Sequence, residues 1–178
     1  MVIMTYKTYS EASRKLPDII SEAELHTILD ATRKSNHKQA FALGFYQAMR
    51  VSEIVKLLPE NIDYNSKLIM IKESKGAKDR NIPIAPQIYK SLKTFKPVGC
   101  GVRALEIAFK RMAKQVLGRD MHFHELRHSG LTFYAIDKKW DTLSLMRFAG
   151  HSNANVTNIY YHVKPQQLVD KMWELTPN

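Results

Sequence analysis

Apolar residues recur at helical spacing along most of the chain, which predicts a mainly helical protein. Ser21 followed by Glu24 forms a capping-box pattern, so the first helix is predicted to begin there and to run through residues 22–34. The same spacing predicts further helices over residues 38–49, 52–58, 87–95, 102–118, 124–139, 141–150, 153–163 and 165–175. The helix over 102–118 is amphipathic, with Arg and Lys opposite its apolar face.

The pattern changes between residues 67 and 84. Residues 67–73 and 80–84 are typical of two strands, and residues 74–79 of the turn between them, where Gly76 supplies the backbone freedom. The predicted fold class is therefore α+β, mainly α, with a small antiparallel hairpin or sheet near residues 67–84. The 178 residues suit one compact domain, so residues 1–178 are predicted to form a single domain.

Charge adds a first indication of the partner. Lys and Arg total 27 against 17 Asp and Glu, a net charge of +10. Such a domain attracts polyanions, of which nucleic acid is the commonest, although charge alone leaves a merely soluble basic surface equally open. An anionic membrane surface is the weakest of the three interpretations.

Features of the ends and of the cysteine content indicate a cytoplasmic protein. Cys100 is the single cysteine and has no zinc-type spacing of Cys or His around it. The N-terminus turns polar too early for a signal peptide, and no apolar run approaches the ~20 residues that span a bilayer. We therefore expect a reducing compartment, no membrane and no intrachain disulfide.

Two groups of basic residues are candidates for phosphate contact. Arg50 ends an apolar helix, and Glu53 is placed to hold its guanidinium, although a simple surface pair explains this spacing better when it is taken alone. Lys75, Lys78 and Arg80 lie in or beside the predicted turn, which brings three cations together. In isolation a solvated lysine-rich turn is the favoured interpretation.

The histidines supply candidate proton-transfer groups. His124 and Arg127 share one helix face and can present a proton acceptor beside a phosphate-binding fork, whereas His128 is predicted to face elsewhere. The grouping of His122, His124 and His128 also suggests metal, but no further ligand is evident, so no metal is predicted.

Tyr160 follows His151 by nine residues. Taken alone, its neighbourhood of aromatic residues favours packing at a core edge over chemistry. A capping or core histidine likewise explains each candidate histidine taken alone.

The order of these residues is more specific than any one of them, and it resembles the tyrosine recombinases, also called the phage integrase family. AMRVSEIVKL is similar to the family's first arginine box, ESKGAKDRNIPI to its lysine hairpin, HELRHSGLT to its second arginine box and AGHSNANVTNIYYHV to its histidine–tyrosine box. The resemblance runs from Ser21 to the C-terminal helix. Two departures, Gln47-Ala48-Met49 where a glycine is usual and Ala149 where a leucine is usual, are interpreted as packing changes.

The resemblance implies the fold, the activity and a role for each matched position. Arg50 and Arg127 would grip the scissile phosphate of double-stranded DNA, and His151 would add a hydrogen bond. Lys75 would protonate the leaving 5′-oxygen, and His124 would assist proton transfer. Tyr160 would attack phosphorus and form a 3′-phosphotyrosine link, with no metal, nucleotide cofactor or small-molecule substrate. Apart from the resemblance, the spacing of Glu53 predicts that it supports Arg50, and the basic turn predicts that Lys78 and Arg80 contact DNA.

The predicted C-terminal helix is too apolar for a free tail, so it is expected either to pack on its own domain or to dock on a neighbouring protomer. Docking on a neighbour is what the resemblance implies, with self-association as a tetramer on DNA. The family's N-terminal DNA-clamping domain is expected to be absent, because fewer than 50 residues precede Arg50. Two other functions stay open at this point. One is a type IB topoisomerase-like relaxase without partner exchange, and the other is a DNA-binding module of the same fold that has lost turnover.

Overall fold

The computed structural model describes residues 18–72 and 79–151, and its elements follow the predicted order. The helices are α1 (Glu22–Ala31), α2 (Ser35–Tyr46), α3 (Val51–Lys56), α4 (Pro86–Leu92), α5 (Val102–Leu117), α6 (Phe123–Thr132) and α7 (Thr142–Ala149). The strands are β1 (Ile62–Asp63), β2 (Leu68–Ile71) and β3 (Arg80–Pro83). The prediction of a mainly α domain with a small antiparallel sheet is confirmed.

Local sequence signals account for where several helices begin and end. The capping box at α1 is present, because the Glu24 amide donates to Ser21 Oγ at 3.2 Å and the Ser21 amide donates to Glu24 Oε2 at 2.8 Å. α2 begins at Ser35, three residues before the prediction, and ends at Tyr46. It cannot extend to residue 49, because Ala48 takes a left-handed conformation with a φ of 46°.

The sheet has three strands where the sequence predicted two. β1 pairs antiparallel with β2, and β2 pairs antiparallel with β3, with Ile71 opposite Arg80. The predicted hairpin is therefore confirmed. β1 was missed because two residues are too short to show the alternation of polar and apolar positions that marks a strand.

The core lies between α2 and α6. α2 is buried along residues 39–46 and crosses α6 where Gly130 faces the backbone of Phe45. A Cβ at Gly130 would lie 1.9 Å from the carbonyl oxygen of Phe45, so only glycine permits this approach. Phe41, Phe109 and Phe123 then join α2, α5 and α6 through edge-on ring contacts at centroid distances of 5.3 to 6.0 Å.

A second aromatic group fixes the position of α7. α6 continues into a π-helical turn over Phe133–Asp137, which carries Tyr134. The Tyr134 ring packs on Trp140 and Phe148 at 4.5 and 5.1 Å, and its hydroxyl donates to the carbonyl of Tyr46 at 2.8 Å. α7 is thereby held against the end of α2, close to the start of α3.

The helices predicted over residues 153–163 and 165–175, and most of the turn predicted over 74–79, lie outside the described residues. Within residues 18–72 and 79–151, no helix has the length and apolar character needed to cross a bilayer.

Candidate active site

The C-terminus of α7 is where residues distant in sequence meet. Gly150 ends the helix in the left-handed conformation, with a φ of 68°, and His151 follows directly. This cap turns the carbonyl groups of Ala149 and Gly150 toward Arg127 and Arg50. Because a helix C-terminus carries partial negative charge, it attracts the two guanidinium groups.

Arg127 is held by main-chain oxygens inside the core. It projects from α6 and is only 3% exposed. Its Nη1 donates to the carbonyl of Ala48, and its Nη2 donates to the carbonyl of Ala149 at 2.8 Å. The same Nη2 lies 3.0 Å from Nε2 of His151. Three segments of the chain therefore converge on one buried guanidinium.

Arg50 is held mainly by a carboxylate at the start of α3. Its Nη1 donates to Glu53 Oε1 at 2.8 Å, and its backbone amide donates to Glu53 Oε2 at 2.8 Å. Its Nη2 reaches toward the carbonyl of Gly150 at 3.5 Å. The Arg50 side chain remains 37% exposed, so it is accessible to an anion from solvent.

Glu53 is buried, which distinguishes the observed pair from a simple surface pair. Burial raises the pKa of its carboxyl group, but the hydrogen bonds and charge of Arg80 and the hydrogen bonds of Arg50 outweigh it, so that the pKa is lowered overall. Glu53 is therefore ionised at neutral pH.

Arg80 forms the second partner of Glu53. Its Nη1 and Nη2 donate to Oε1 and Oε2 at 3.0 and 3.1 Å, which is the parallel two-bond geometry of an arginine–carboxylate fork. The side chain is 12% exposed. The sequence grouped Arg80 with Lys78 as a DNA contact, and that contact stays a prediction; the structure places its guanidinium inside the protein.

His124 and His128 lie against each other on α6. Their ring centroids are 4.4 Å apart, with the planes nearly perpendicular. The prediction that His128 faces elsewhere was wrong, because residues four apart share a helix face. Burial and the charge of Arg127, with Arg50 for His124, lower the pKa of both rings, that of His128 to about 4. Both are therefore neutral at neutral pH, as a proton acceptor requires.

His151 is neutral for the same physical reasons. Burial lowers its pKa to about 4, and the charges of Arg127, Arg50 and Arg80 add to the shift. Because an arginine can only donate, Nε2 of His151 is the acceptor in the contact with Arg127. Its proton then sits on Nδ1.

The grouping of His122, His124 and His128 suggested a metal site as an alternative. Over residues 18–72 and 79–151, no group of three or more His, Cys, Asp or Glu side chains is arranged to hold a metal ion. His122 instead caps α6, where its amide donates to the Glu125 carboxylate. Three predicted site residues, Lys75, Lys78 and Tyr160, lie outside the described residues.

Ala48 gives one departure from the family pattern a different physical meaning. It is fully buried and left-handed, a conformation that glycine adopts without strain. Its carbonyl accepts from Arg127. The interpretation as a packing change was therefore incomplete, since this position also sets a backbone direction.

Sequence reasoning missed the contacts that hold the two arginines. No pattern of side chains predicts which main-chain carbonyl accepts a hydrogen bond from an arginine. The contacts of Ala48 and Ala149 with Arg127 therefore could not be predicted from the sequence. The inward direction of Arg80 could have been predicted from the sequence. Residues two apart in a strand share a face, and Ile82, two residues after Arg80, is fully buried.

Comparisons with known proteins show which family the chain resembles and which fold it shares. The model of the phage integrase family matches residues 18–99 and 100–167. A tyrosine recombinase of Thermosipho africanus (strain TCF52B) is 28% identical over 182 residues, which cover 91% of this chain and 63% of that protein. The chain spans less than two thirds of the length of these curated relatives that it matches.

Solved structures share the fold. The crystal structure of XerA recombinase superposes with a TM-score of 0.76 at 20% identity, over 92% of this chain and 66% of that one. XerH site-specific recombinase, bound to its palindromic difH substrate after cleavage, superposes with a TM-score of 0.69 at 22% identity, over 93% and 56%.

Proposed function

The chain belongs to the phage integrase family, and from this premise we propose that it is the catalytic domain of a site-specific DNA recombinase. In this proposal it cleaves one DNA strand with Tyr160 and rejoins the end to another strand. Residues 1–178 form this single domain. Its partner is double-stranded DNA; the Tn1549 transposon integrase, which shares the fold, is in complex with transposon right end DNA.

The convergence of Arg50, Arg127 and His151 at the end of α7 is the observation that carries the proposal. Attack on a phosphodiester builds negative charge on a five-coordinate phosphorus. Donors fixed beforehand at that charge lower the barrier, and a single such donor is worth about 10²–10³ in rate. The two guanidinium groups are suited to the two non-bridging oxygens of that phosphate, where this charge builds, and His151 is proposed to add a hydrogen bond there.

The remaining roles come from the family positions. Tyr160 attacks phosphorus through its hydroxyl oxygen, and the bond from phosphorus to the 5′-oxygen breaks. Lys75 gives a proton to that leaving oxygen, which is otherwise strongly basic, and neutral His124 assists transfer of the tyrosine proton. The product is a 3′-phosphotyrosine that keeps the phosphodiester energy. A 5′-hydroxyl of another strand then displaces Tyr160, with no metal ion taking part.

Assembly and location complete the proposal. Strand exchange needs several protomers on DNA, and the apolar residues of 165–175 are proposed to dock on a neighbouring protomer to form a tetramer. The protein acts on DNA in the cytoplasm of a prokaryote, whether encoded by the host or by a virus. The net charge of +10 supports binding to a polyanion.

A nicked suicide substrate tests the chemistry, because the released strand diffuses away and traps the covalent adduct. The wild type is expected to form a protein–DNA adduct in EDTA, and Tyr160→Phe to form none. Tyr161→Phe is the matched control and should retain the adduct. An adduct with Tyr160→Phe, or a strict requirement for a divalent metal, would contradict the proposal.

Relaxation of supercoiled plasmid separates the alternatives. A recombinase requires its own site and exchanges partners. Relaxation without sequence preference and without exchange would replace the proposal with a topoisomerase-like function. Salt-dependent DNA binding without any adduct would replace it with a binding module.

A further inference from the structure

Arg80 is a charged residue that turns into the protein although it begins β3, the second strand of the predicted lysine hairpin. Its side chain is 12% exposed, and it lies on the same strand face as the fully buried Ile82. A buried guanidinium is unfavourable unless its charge is matched by a well-placed partner. The partner is Glu53, whose side chain is 6% exposed.

The Arg80 fork determines how the Glu53 carboxylate is oriented. Two parallel hydrogen bonds, of 3.0 and 3.1 Å, place both carboxylate oxygens in the plane of the guanidinium. With that plane fixed, Oε1 meets Arg50 Nη1 at 2.8 Å and Oε2 meets the Arg50 amide at 2.8 Å. A single carboxylate therefore joins the two guanidinium groups, and the trio keeps one net positive charge.

Arg80 also contacts the second group that orients Arg50. A Cβ on Gly150 would lie 2.9 Å from both Cζ and Nε of Arg80, so the guanidinium packs directly on the Gly150 backbone. The carbonyl of that glycine is the oxygen toward which Arg50 Nη2 points, and His151 is the next residue. Arg80 thus touches two groups, Glu53 and Gly150, that the Arg50 guanidinium contacts.

We propose that Arg80 is a positioning residue that acts through Glu53 and Gly150 to hold Arg50 toward the scissile phosphate. The proposal rests on the function proposed above. It assigns Arg80 no contact with DNA. Lysine cannot replace it, because an ammonium group makes no planar two-bond fork and does not fill the space over Gly150.

DNA cleavage and DNA binding are expected to separate in Arg80→Gln. Misplacing Arg50 should slow single-turnover cleavage of a suicide substrate at saturating DNA by about 10- to 100-fold. DNA affinity and its salt dependence should match those of Lys72→Gln, which removes one exposed cation from the same hairpin. Lys72→Gln should itself cleave at the wild-type rate once DNA is saturating.

The sequence-based alternative makes the opposite prediction. A direct phosphate contact by Arg80 would lower the slope of log affinity against log salt by about 0.9. It would also leave the saturated cleavage rate unchanged. Loss of affinity and slope beyond the Lys72→Gln control, with a normal saturated rate, would overturn the positioning role.

A double-variant cycle removes the risk that Arg80→Gln fails to fold. Glu53→Gln combined with Arg80→Gln buries no unmatched charge, and it should cleave no more slowly than the slower single variant, because both changes break the same connection. A double variant that cleaves at the wild-type rate would overturn the proposal. The proposal would also be overturned if the fold-loss in rate of the double variant equalled the product of the fold-losses of the two single variants.

An NMR measurement on DNA-free protein keeps the two proposals separable. Rotation of the Arg50 guanidinium, followed through its ¹⁵N-bound protons, should be slow in the wild type and in Lys72→Gln and faster in Arg80→Gln, while that of Arg127 stays slow. If the wild type forms no covalent adduct on the suicide substrate, the proposed function is wrong, but the positioning role of Arg80 is not affected. An Arg50 signal unchanged by Arg80→Gln would overturn the positioning role whatever the cleavage assay shows.

Discussion

The two arginines at the end of α7 are held by different kinds of partner. On the helical side, Arg127 is buried between α2, α6 and α7 and donates to the carbonyls of Ala48 and Ala149. On the sheet side, Arg50 is partly exposed and depends on the carboxylate of Glu53, which Arg80 shares. The helical side therefore holds its arginine with main-chain carbonyls, and the sheet side holds its arginine mainly with a side-chain carboxylate.

This difference has consequences for how each side responds to change. Main-chain carbonyls cannot be removed by substitution, so the helical side fails only when packing moves the backbone or when Arg127 itself is lost. The sheet side loses its geometry when Glu53 or Arg80 changes, while the core stays intact. The helical side is therefore expected to link site geometry to stability, whereas on the sheet side the loss of the partly exposed Arg50 is expected to leave stability largely unchanged.

The largest expected effect comes from pushing α2 and α6 apart. Gly130→Ala places a methyl group 1.9 Å from the Phe45 carbonyl oxygen, and the free energy of unfolding should fall by about 3 kcal/mol or more. Denaturant unfolding measures the loss. The control is Gly101→Ser, since nothing lies within 4 Å of a Cβ at Gly101 and serine is a good cap for α5. Equal stability of the two variants would contradict the close approach.

Removing each arginine compares the two sides directly. Arg127→Met leaves two buried carbonyls without this donor and should lower the free energy of unfolding by about 2–4 kcal/mol. Arg50→Met leaves Glu53 paired with Arg80, and the loss should be no more than about 1 kcal/mol. Both should abolish adduct formation on the suicide substrate. Equal losses of stability would show that the contrast between backbone and side-chain support is wrong.

Acid should weaken the site through its histidines. The pKa values of His128 and His151 are about 4 in the fold against an ordinary 6.5, so the unfolded chain binds more protons between these values. Their contribution to stability is complete above about pH 6.5 and is lost as the pH falls toward 4.

The His151 contribution can be isolated by following Tm from about pH 7.5 to 4.5. His151→Gln should show a shallower fall in Tm than the wild type, because glutamine gains no charge. Parallel curves for the two proteins would mean that His151 is not held neutral by its surroundings.

The smallest expected effect concerns the backbone at Ala48. Ala48→Gly and Ala149→Gly each delete a fully buried methyl group, a loss of about 0.8 kcal/mol. Ala149 is helical, so glycine there should cost about 1 kcal/mol more. At Ala48 the left-handed conformation is relieved, and the change in stability should stay within about 0.5 kcal/mol. Equal losses of stability in Ala48→Gly and Ala149→Gly would show that the backbone at Ala48 is not strained.

The sequence by itself determined the element types and the family. Helical spacing, the Ser21–Glu24 cap and the alternation around residues 67–84 are local signals, so they survive without knowledge of the fold. The order of the arginine, lysine and histidine–tyrosine boxes indicates the family, because the chemistry that the family performs requires particular residue types at particular positions. These signals missed β1, which is too short to carry a period, and they extended α2 past Ala48.

Tertiary structure alone decided how the site is held. The carbonyls of Ala48 and Ala149 became ligands of Arg127 because α2, α6 and α7 pack at that point, and every residue has a carbonyl, so sequence cannot single these out. Glu53 became a shared buried anion only when β3 brought Arg80 against α3 across 27 positions of sequence. Residue type determines what a group can do, and packing determines which group it meets.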